Sequence, residues 1–405
     1  MDYIYERCCG LDIHKASITA CVNVNGKKEI VTFGTMTDDL LQMAAFLKER
    51  NVQMVAMEST GSFWKPIFNI LEVEGIDAIL VNAAHLKTVP GRKTDVKDAE
   101  WISDLLRIGL LKASFVKPRD QRELCELIRY RNSMIEERAR EFNRMGKVLE
   151  GANIKLTSVA SKLDTVSGMN MIRALAEGEV NPEVLASMAK GTMRSKRGEL
   201  ERALNGLVRP HQQMILKSML NHVEHLSELI AGLDAEIKIR MCEDVELIDA
   251  LDGITGVGEN SAQTIIAEIG TDMSRFPSAN HLASWAGMSP GNNESAGKKK
   301  SGKTKKANST LKKTLVQCGR SAANSKDTYL NSQYRRIAAR RGGKRAAVAV
   351  GHSILVICYH MIKNRTQYED LGADFFQNRN EELFVKQSLK RLENLGYAVT
   401  VKKVA

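Results

Sequence analysis

Several signatures of common protein classes are missing from this sequence. Its 405 residues include seven cysteines but no Cys-x-x-Cys pair, which argues against both a disulfide framework and a zinc knuckle. Four of the cysteines lie in apolar runs, and we expect them to be small buried hydrophobic residues in a reducing compartment. These four are Cys8, Cys9, Cys21 and Cys358.

Long apolar segments are also scarce. The stretch 346–362 is shorter than the ~20 residues of a membrane span and contains Gly351, His352 and His360, so it predicts a buried helix and no membrane. Residues 1–7 are polar and charged, and no apolar signal-peptide segment follows them. We therefore expect a cytoplasmic protein, and the charge described next favours association with the nucleoid.

Positive charge is in excess. The net charge is +11 and the isoelectric point about 9.2, which favours a polyanionic partner. No acidic residue occurs from Ser295 through Lys326, while lysines crowd into 298–313, and we interpret this stretch as a loop that holds nucleic acid. A second basic patch precedes the apolar stretch 346–362. A third lies in the predicted loop 90–94, and its cations either contact phosphates or are simply solvated. The candidate contacts are Lys298, Lys299, Lys300, Lys303, Lys305, Lys306, Arg340, Arg341, Arg92 and Lys93.

One carboxylate interrupts an apolar run near the N-terminus. Inside a predicted central strand Asp12 loses hydration, which costs several kcal/mol unless a cation or a donor compensates. A second apolar run ends in Glu58, and Asp95 and Asp98 are three residues apart, on one face of a predicted helix. Four converging carboxylates could hold two divalent ions about 4 Å apart, which stabilises phosphoryl transfer. All four are hard oxygen ligands and we expect no His or Cys beside them, so we predict Mg²⁺ or Mn²⁺.

The order of the predicted elements gives these acids a shared location. The α/β order βββαβαβα is that of the RNase H-like nuclease fold, in which the first strand, the fourth strand and the last helix bring acids to one end of the sheet. Glu100 and Asp104 could replace one of the helical pair, and ordinary surface acids are the alternative. The predicted elements are a strand meander over 8–33, a helix over 40–47, strands at 54–57 and 78–81, and helices over 63–71 and 96–108.

The middle of the chain is predicted to be helical. From 119 to about 151, apolar residues recur every three or four positions in a charge-rich stretch without proline, which is typical of a long amphipathic or coiled-coil helix. A similar pattern spans 200–241 and is broken or kinked by Pro210. Together they predict an antiparallel pair or a seam between chains.

A glycine turn follows this region. Residues 253–258, Gly-Ile-Thr-Gly-Val-Gly, lie between two apolar helical patterns, as in a helix-hairpin-helix, where the turn exposes backbone N–H groups to a phosphate. Gly256 and Gly258 are therefore candidate nucleic-acid contacts, with a plain structural turn as the alternative.

Five motifs follow one another along nearly the whole chain. They are Gly-Leu-Asp12-Ile-His-Lys, Met-Glu58-Ser-Thr-Gly, Lys-Thr-Asp95-Val-Lys-Asp98-Ala, the glycine turn, and Trp-Ala-Gly-Met-Ser-Pro with the later Glu-Ser295-Ala-Gly. Together they resemble the DEDD transposases of bacterial insertion sequences that carry a second, serine-bearing domain. The resemblance implies that a serine attacks the DNA phosphate. Ser295 matches it, although Ala296 stands where the family more often has glycine.

The resemblance also implies partners and a division of the chain. It implies a tetramer and a noncoding bridge RNA that pairs with donor and target DNA. We expect a RuvC-like DEDD nuclease domain over 1–118, a coiled-coil and linker region over 119–245, a mainly α-helical serine-bearing transposase domain with the helix-hairpin-helix over 246–370, and a helix–strand extension over 371–405.

The expected chemistry is strand exchange through a phosphoserine link, assisted by metal ions on the four acids. A covalent link conserves the phosphodiester energy, so no ATP is required. Two alternatives stay open: a metal-dependent Holliday-junction nuclease that uses water, and a non-catalytic architectural DNA-binding protein. We expect Ser295 and the acids to form one site only on oligomerisation, and the sequence leaves open whether they belong to one chain.

Overall fold

The structure is a computed structural model of the chain. It describes residues 4–59, 61–82, 98–290, 293–295, 298–301, 304, 307–378 and 381–398. The chain separates into two compact units, Met1–Arg119 and Asp120–Ala405. The first unit contains a mixed sheet with helices, and the second is mostly helical.

The first unit is built on a six-stranded sheet with the order β3-β2-β1-β4-β5-β6. Strands β1, β4 and β5 are parallel, and β2, β3 and β6 each run antiparallel to a neighbour. Asn25 and Gly26 both have positive φ, at 52° and 92°, so the predicted Asn-Gly hairpin joins β2 to β3. The strands are β1 Arg7–Ile13, β2 Ile18–Val24, β3 Lys27–Phe33, β4 Met54–Glu58, β5 Ala78–Val81 and β6 Ala113–Ser114.

Helices cover both faces of this sheet. Helices α1, Thr37–Glu49, and α2, Trp64–Val73, pack on one face, where Leu11 and Met57 belong to the core. Helix α3, Asp98–Arg107, packs on the other face against Cys8 and Ala56. The predicted meander and the predicted order of strands and helices are present. Strand β6 was not predicted, because two residues leave no readable pattern.

The second unit contains the two long helices predicted from periodicity. They are α4, of 33 residues, and α9, of 31 residues, and Pro210 is the first residue of α9 rather than a kink within it. The α-helices in this part are α4 Arg119–Gly151, α5 Leu156–Val159, α6 Val166–Glu177, α7 Pro182–Ser187, α8 Arg197–Ala203 and α9 Pro210–Arg240, and 3₁₀ helices cover Gly191–Lys196 and Cys242–Asp244.

Helices α4 and α9 pair antiparallel within the chain. Arg240 Nη1 lies 3.2 Å from Glu123 Oε2 at one end. Further along, Arg138 Nη1 donates to Ser227 Oγ at 3.2 Å. The residue numbers rise along one helix as they fall along the other. Of the two arrangements predicted, the antiparallel pair within one chain is therefore the one observed. Helices α5 to α8 pack on the far end of this pair, around Leu149 and Leu216.

The rest of the second unit surrounds one long apolar helix. A Cβ added at Gly319 in α13 would lie 2.4 Å from the Ala347 carbonyl oxygen of α15, so these helices cross in backbone contact. The elements here are α10 Val245–Asp252, α11 Glu259–Ile269, a 3₁₀ helix Met273–Arg275, α12 Ala279–Trp285, β7 Asn293–Ser295, β8 Lys298–Ser301, α13 Ser309–Ala322, α14 Tyr329–Arg341, α15 Gly343–Asn364, α16 Phe375–Asn378 and α17 Glu381–Asn394.

Helix α15 is long and apolar enough to cross a membrane by length and composition alone. Over half of its most apolar window is buried by protein, at 56%, and Val350, Ile354 and Cys358 lie in the core of the unit. The prediction of a buried helix is thus confirmed. The four cysteines predicted as small core residues are also buried and free, and burial raises the pKa of the Cys21 thiol to about 11. The predicted C-terminal helix is α17, whereas 399–401 of the predicted last strand lie outside the described residues.

Polar side chains of α4 bind α11 firmly. Arg129 donates from Nε to Glu268 Oε1 at 2.7 Å and from Nη2 to Oε2 at 2.9 Å. The Glu268 side chain is only 1% exposed and also accepts from Asn308 Nδ2 at 2.7 Å. Arg131 is fully buried and donates to Asp234 Oδ1 of α9 at 3.0 Å. Charges that a sequence pattern would place in solvent therefore hold three helices together.

Candidate active site

Two of the predicted acids leave adjacent parallel strands at the same edge of the sheet. Asp12 is the penultimate residue of β1, and Glu58 is the last residue of β4. Leu11 lies opposite Met57 in the parallel register, so the residues that follow them emerge side by side. The edge formed by the carboxyl ends of parallel strands is where open α/β sheets bind their ligands.

A glycine in β1 brings α3 to this edge. A Cβ added at Gly10 would lie 2.2 Å from the carbonyl oxygen of Ala99, which no side chain tolerates. Further along α3, the carbonyl oxygen of Ser103 lies 3.7 Å from Cys8 Sγ, and that of Arg107 accepts from the Ile4 N–H at 2.9 Å. Helix α3 therefore runs antiparallel to β1. Asp98, its first residue, starts at the edge where β1 ends.

His14 was not expected beside the acids. Its Nε2 lies 3.3 Å from Asp12 Oδ2, with the histidine side chain 68% exposed and the aspartate 29% exposed. The expectation that no histidine lies near the proposed ligands is therefore wrong. The signal was present in the sequence, because residues two apart along an extended chain share a face.

The donor chemistry of this edge fits a divalent ion. Carboxylate oxygens are the ligands preferred by Mg²⁺ and Mn²⁺, and three of them share one edge. Within the ranges that the structure describes, no three His, Cys, Asp or Glu side chains are close enough together to hold a metal. Asp95, the fourth predicted ligand, lies outside the described residues, as do Arg92 and Lys93. The observed fit is therefore one of residue type and backbone position.

Asp104, considered as a replacement ligand, is occupied elsewhere. Its Oδ2 accepts from Lys28 Nζ at 2.7 Å, beside the turn that joins β2 to β3. Partial burial on its own lowers the pKa of Lys28. The hydrogen bond to Asp104 and the charge of Asp104 outweigh this effect, so the pKa of Lys28 is raised. Asp104 is thus placed to neutralise Lys28, six residues along α3 from Asp98.

The glycine turn has helices on both sides, as predicted. Helix α10 precedes it and α11 follows it. Gly256 has φ +87°, and a Cβ there would lie 2.5 Å from the Ala322 backbone nitrogen. Gly256 is therefore required by its backbone conformation and by packing against α13. Gly258 is exposed, caps α11 and has no atom within 4 Å of an added Cβ. A nucleic-acid role for either glycine stays a prediction.

Ser295 lies in a hairpin rather than in the predicted loop. Strands β7 and β8 are antiparallel, with Ser295 opposite Lys298 and Glu294 opposite Lys299. A bridge between Pro290 and Thr304 closes the base of this hairpin. Backbone pairing needs no apolar side chains, so composition alone did not reveal the strands. Lys298, Lys299 and Lys300 belong to β8, while Lys303, Lys305 and Lys306 lie outside the described residues.

The segment 297–304, Gly-Lys-Lys-Lys-Ser-Gly-Lys-Thr, has the residue spacing of a phosphate-binding P-loop. A P-loop is a loop between a strand and a helix. Here residues Lys298–Ser301 are an extended strand paired with β7, so the backbone at its centre does not wrap around a phosphate. The match is therefore one of spacing only.

Comparison with known families identifies the class of protein. Residues 9–154 match the model of the IS110 DEDD transposases, described as "Transposase", and residues 248–335 match that of the "Transposase IS116/IS110/IS902 family". Together the matches span more than half of the chain, including the three described acids, the glycine turn and Ser295. No curated protein matches the chain. The chain is a DNA transposase or recombinase. It belongs to the IS116/IS110/IS902 family of insertion-sequence transposases.

Membership of the family settles several coarse properties. The substrates of a transposase are DNA. DEDD transposases generally use divalent metal ions, and proteins of this family are generally soluble and cytoplasmic. The non-catalytic architectural protein considered from the sequence is thereby set aside.

Proposed function

We propose that this transposase cuts and rejoins the ends of a mobile insertion sequence through a phosphoserine intermediate on Ser295. The observation that carries the proposal is the common sheet edge reached by Asp12, Glu58 and the start of α3. Carboxylates on these three elements are characteristic of RNase H-like, RuvC-like nucleases. The family match over the Ser295 hairpin supports the second half of the site.

The proposed roles follow from the chemistry of each side chain. Asp12, Glu58, Asp95 and Asp98 would hold Mg²⁺ or Mn²⁺, which when bound stabilises negative charge on phosphoryl oxygens. Ser295 Oγ loses its proton and attacks phosphorus, forming a serine–phosphate bond as the bond to a deoxyribose oxygen breaks. That oxygen leaves with a proton as a free hydroxyl. Attack by the hydroxyl of another strand reverses the step and releases the serine.

The partners proposed beyond DNA come from the family resemblance. They are donor and target DNA paired to a noncoding bridge RNA, on a tetramer associated with the nucleoid. The proposed working parts are the RuvC-like domain 1–118, the coiled-coil and linker region 119–245, the transposase domain 246–370 and the extension 371–405. The excess of positive charge supports a second polyanion without choosing RNA over DNA.

The test compares two single variants with the wild type on element-end DNA. We expect Asp12→Asn to abolish strand cleavage without lowering stability, because it removes repulsion among acids. Ser295→Ala should bind DNA but form no denaturation-resistant protein–DNA adduct. Ser295→Thr serves as a matched control that keeps a hydroxyl. Full cleavage by Asp12→Asn, or in excess chelator, refutes the metal site.

The adduct also separates a recombinase from a hydrolase. A Holliday-junction nuclease that uses water gives metal-dependent cleavage and no adduct, and Ser295→Ala leaves its cleavage intact. Mixing Ser295→Ala with Asp12→Asn tests the oligomer. Recovered cleavage means that one active site draws on two chains. No recovery, with mixed oligomers verified, assigns both groups to one chain.

A further inference from the structure

Six cations on α14 and the start of α15 are exposed and have no acidic partner within the described parts of the chain. No acidic residue occurs between Asp327 and Glu369 in the sequence. Among the described residues, no carboxylate forms an ion pair with any of these six. They lie on adjacent turns of two consecutive helices, so their positive charge is concentrated on one part of the surface. They are Arg335, Arg336, Arg340, Arg341, Lys344 and Arg345.

Aromatic rings lie beside these cations. Tyr329 stacks on Phe376 with ring centroids 5.1 Å apart and planes inclined by 19°, and it meets Phe375 edge to face at 5.1 Å. All three rings are half-buried, so part of each reaches the surface. The Arg336 guanidinium carbon lies 4.0 Å from the centre of the Phe376 ring. We call Tyr329, Phe375 and Phe376 the aromatic cluster.

Asp370 fixes the aromatic cluster in place. Its Oδ1 accepts from the backbone N–H of Tyr329 at 2.9 Å and of Gly372 at 2.8 Å, and its Oδ2 accepts from Tyr368 Oη at 2.9 Å. Asp370 thus joins the start of α14 to the segment that carries Phe375 and Phe376. This carboxylate bonds the backbone of α14 and, within the described residues, none of its arginines. The cluster is therefore pre-organised without loss of surface charge.

We propose that Arg336 and the aromatic cluster form a stacking site for an unpaired base of a nucleic-acid strand, whose phosphates contact the surrounding arginines. A planar guanidinium held against a ring presents a flat cationic surface, which stacks on bases. Exposed aromatic rings beside a basic surface are how proteins bind single strands without regard to sequence. This proposal deepens the proposed function and depends on one part of it, namely that the protein binds nucleic acid.

The combination favours unpaired strands over other polyanions. In a duplex both faces of each base are covered by neighbouring base pairs, so a side chain gains no stacking without opening the helix. Acidic peptides would engage the arginines but have no use for the ring under Arg336. An anionic membrane surface could use both arginines and aromatics, and the test includes it.

The decisive variants keep charge and remove stacking. Arg336→Lys retains the positive charge but loses the planar group, and Arg341→Lys is the matched control on the same helix, because no ring contact involves Arg341 in the described part of the chain. Phe376→Leu keeps an apolar side chain and removes the ring. The probes are a labelled 12-nucleotide DNA strand, an RNA strand of the same sequence, and the corresponding DNA duplex, titrated with full-length protein at two salt concentrations.

We expect Arg336→Lys and Phe376→Leu to weaken single-strand binding by roughly five- to tenfold, near the low end of stacking losses per base. Duplex affinity and the salt dependence should not change in these two variants. Arg341→Lys alters a phosphate contact without touching a ring, so any loss of affinity should be the same on single strand and duplex. The DNA and RNA arms reveal which strand the site prefers. Thermal unfolding of each variant checks that the fold is retained.

Several outcomes overturn the proposal. They are losses of affinity in Arg336→Lys and Phe376→Leu that are equal on single strand and duplex, no loss in either of these variants, or a loss of single-strand affinity in Arg341→Lys as large as in Arg336→Lys. Binding to vesicles of anionic lipid that is weakened by Arg336→Lys, with single-strand binding unaffected, assigns the surface to a membrane instead. Repeating the binding assay in the Asp12→Asn background separates the two proposals. If Asp12→Asn abolishes strand cleavage while Arg336→Lys still weakens single-strand binding and not duplex binding, the stacking site does not depend on the proposed cleavage chemistry.

Discussion

Helices α4 and α14 are both rich in arginine, yet they use it in opposite ways. On α4, Arg129 and Arg131 are matched by carboxylates that come from helices more than a hundred residues away. On α14 the arginines are exposed and no described carboxylate meets them. Both helices are strongly basic in places. The number of arginines in a helix therefore does not show whether the helix serves the fold or binds a ligand. What distinguishes the two helices is whether carboxylates from other helices pair with the arginines.

The physical reason lies in desolvation. A buried charge such as that of Glu268 must be paired and hydrogen-bonded, or its burial costs several kcal/mol. The pair is then committed to the fold and cannot serve a ligand. An exposed arginine keeps its hydration and its counterions, and a polyanion that replaces those counterions gains free energy by releasing them. Helix α4 is therefore expected to control stability, and α14 to control binding.

The largest effect should come from breaking the pair on α4. Arg129→Met removes the two-bond guanidinium partner of the buried Glu268 carboxylate, and should lower the free energy of unfolding by about 3 kcal/mol. Urea unfolding followed by circular dichroism measures it. The double variant Arg129→Met/Glu268→Gln removes the stranded charge and should recover most of the loss. If the single and double variants are equally unstable, an unpaired buried charge at Glu268 is not the cause of the loss.

Neutralising the exposed cations at the end of α14 and the start of α15 should have the converse effect. Replacing Arg340, Arg341, Lys344 and Arg345 with glutamine should leave the free energy of unfolding within about 0.5 kcal/mol for each change. Nucleic-acid affinity should fall about tenfold or more, and the slope of log K against log salt should flatten by about 0.7 to 0.9 for each phosphate that the protein no longer neutralises. An unchanged slope would show that these cations are merely solvated, and would remove the contrast with α4.

The smallest effect concerns Asp370. Burial opposes its ionisation, but hydrogen bonds from the backbone N–H groups of Tyr329 and Gly372 outweigh this, and its pKa is lowered from 3.8. A carboxylate with a lowered folded pKa stabilises the fold above its unfolded pKa, and this contribution is lost as the pH falls through the folded value. Asp370→Asn should therefore cost under about 1 kcal/mol at pH 6, because the exposed site is screened.

Thermal unfolding at several pH values tests this linkage. The difference in melting temperature between wild type and Asp370→Asn should shrink as the pH drops below 3.8, the ordinary value for an aspartate. A difference that grows on acidification contradicts the lowered pKa.

Local patterns predicted the elements well. The Asn25-Gly26 turn, the strand order around Asp12 and the two long helices all depend on short-range signals of period two or three to four. The backbone location of three acids at one edge followed from that order. The contact between His14 and Asp12 was also local, and the periodicity of an extended chain could have found it.

Long-range pairing was beyond such patterns. Arg129 and Glu268 are 139 residues apart. The periodicity along α4 predicts that Arg129 lies on a polar face of the helix, but it cannot predict that a buried carboxylate from another helix pairs with it. Nothing in the composition around Ser295 indicates two strands, because β7 and β8 are held by backbone pairing. The ligand geometry of the acids depends on side-chain rotamers and on Asp95, and neither is encoded in spacing.

The close contact at Gly10 also limits how this enzyme can vary. A single methyl group at that position would push α3 away from the sheet, because a Cβ meets the backbone of Ala99 and Ser103, and backbone cannot step aside as a flexible side chain does. Asp98 begins that helix, so the same displacement would carry a proposed metal ligand outward. Libraries sorted for folding and libraries sorted for DNA cleavage should both return glycine here. The absence of a side chain at Gly10 thus sets the distance between β1 and α3, and with it the position of the Asp98 carboxylate relative to the sheet edge.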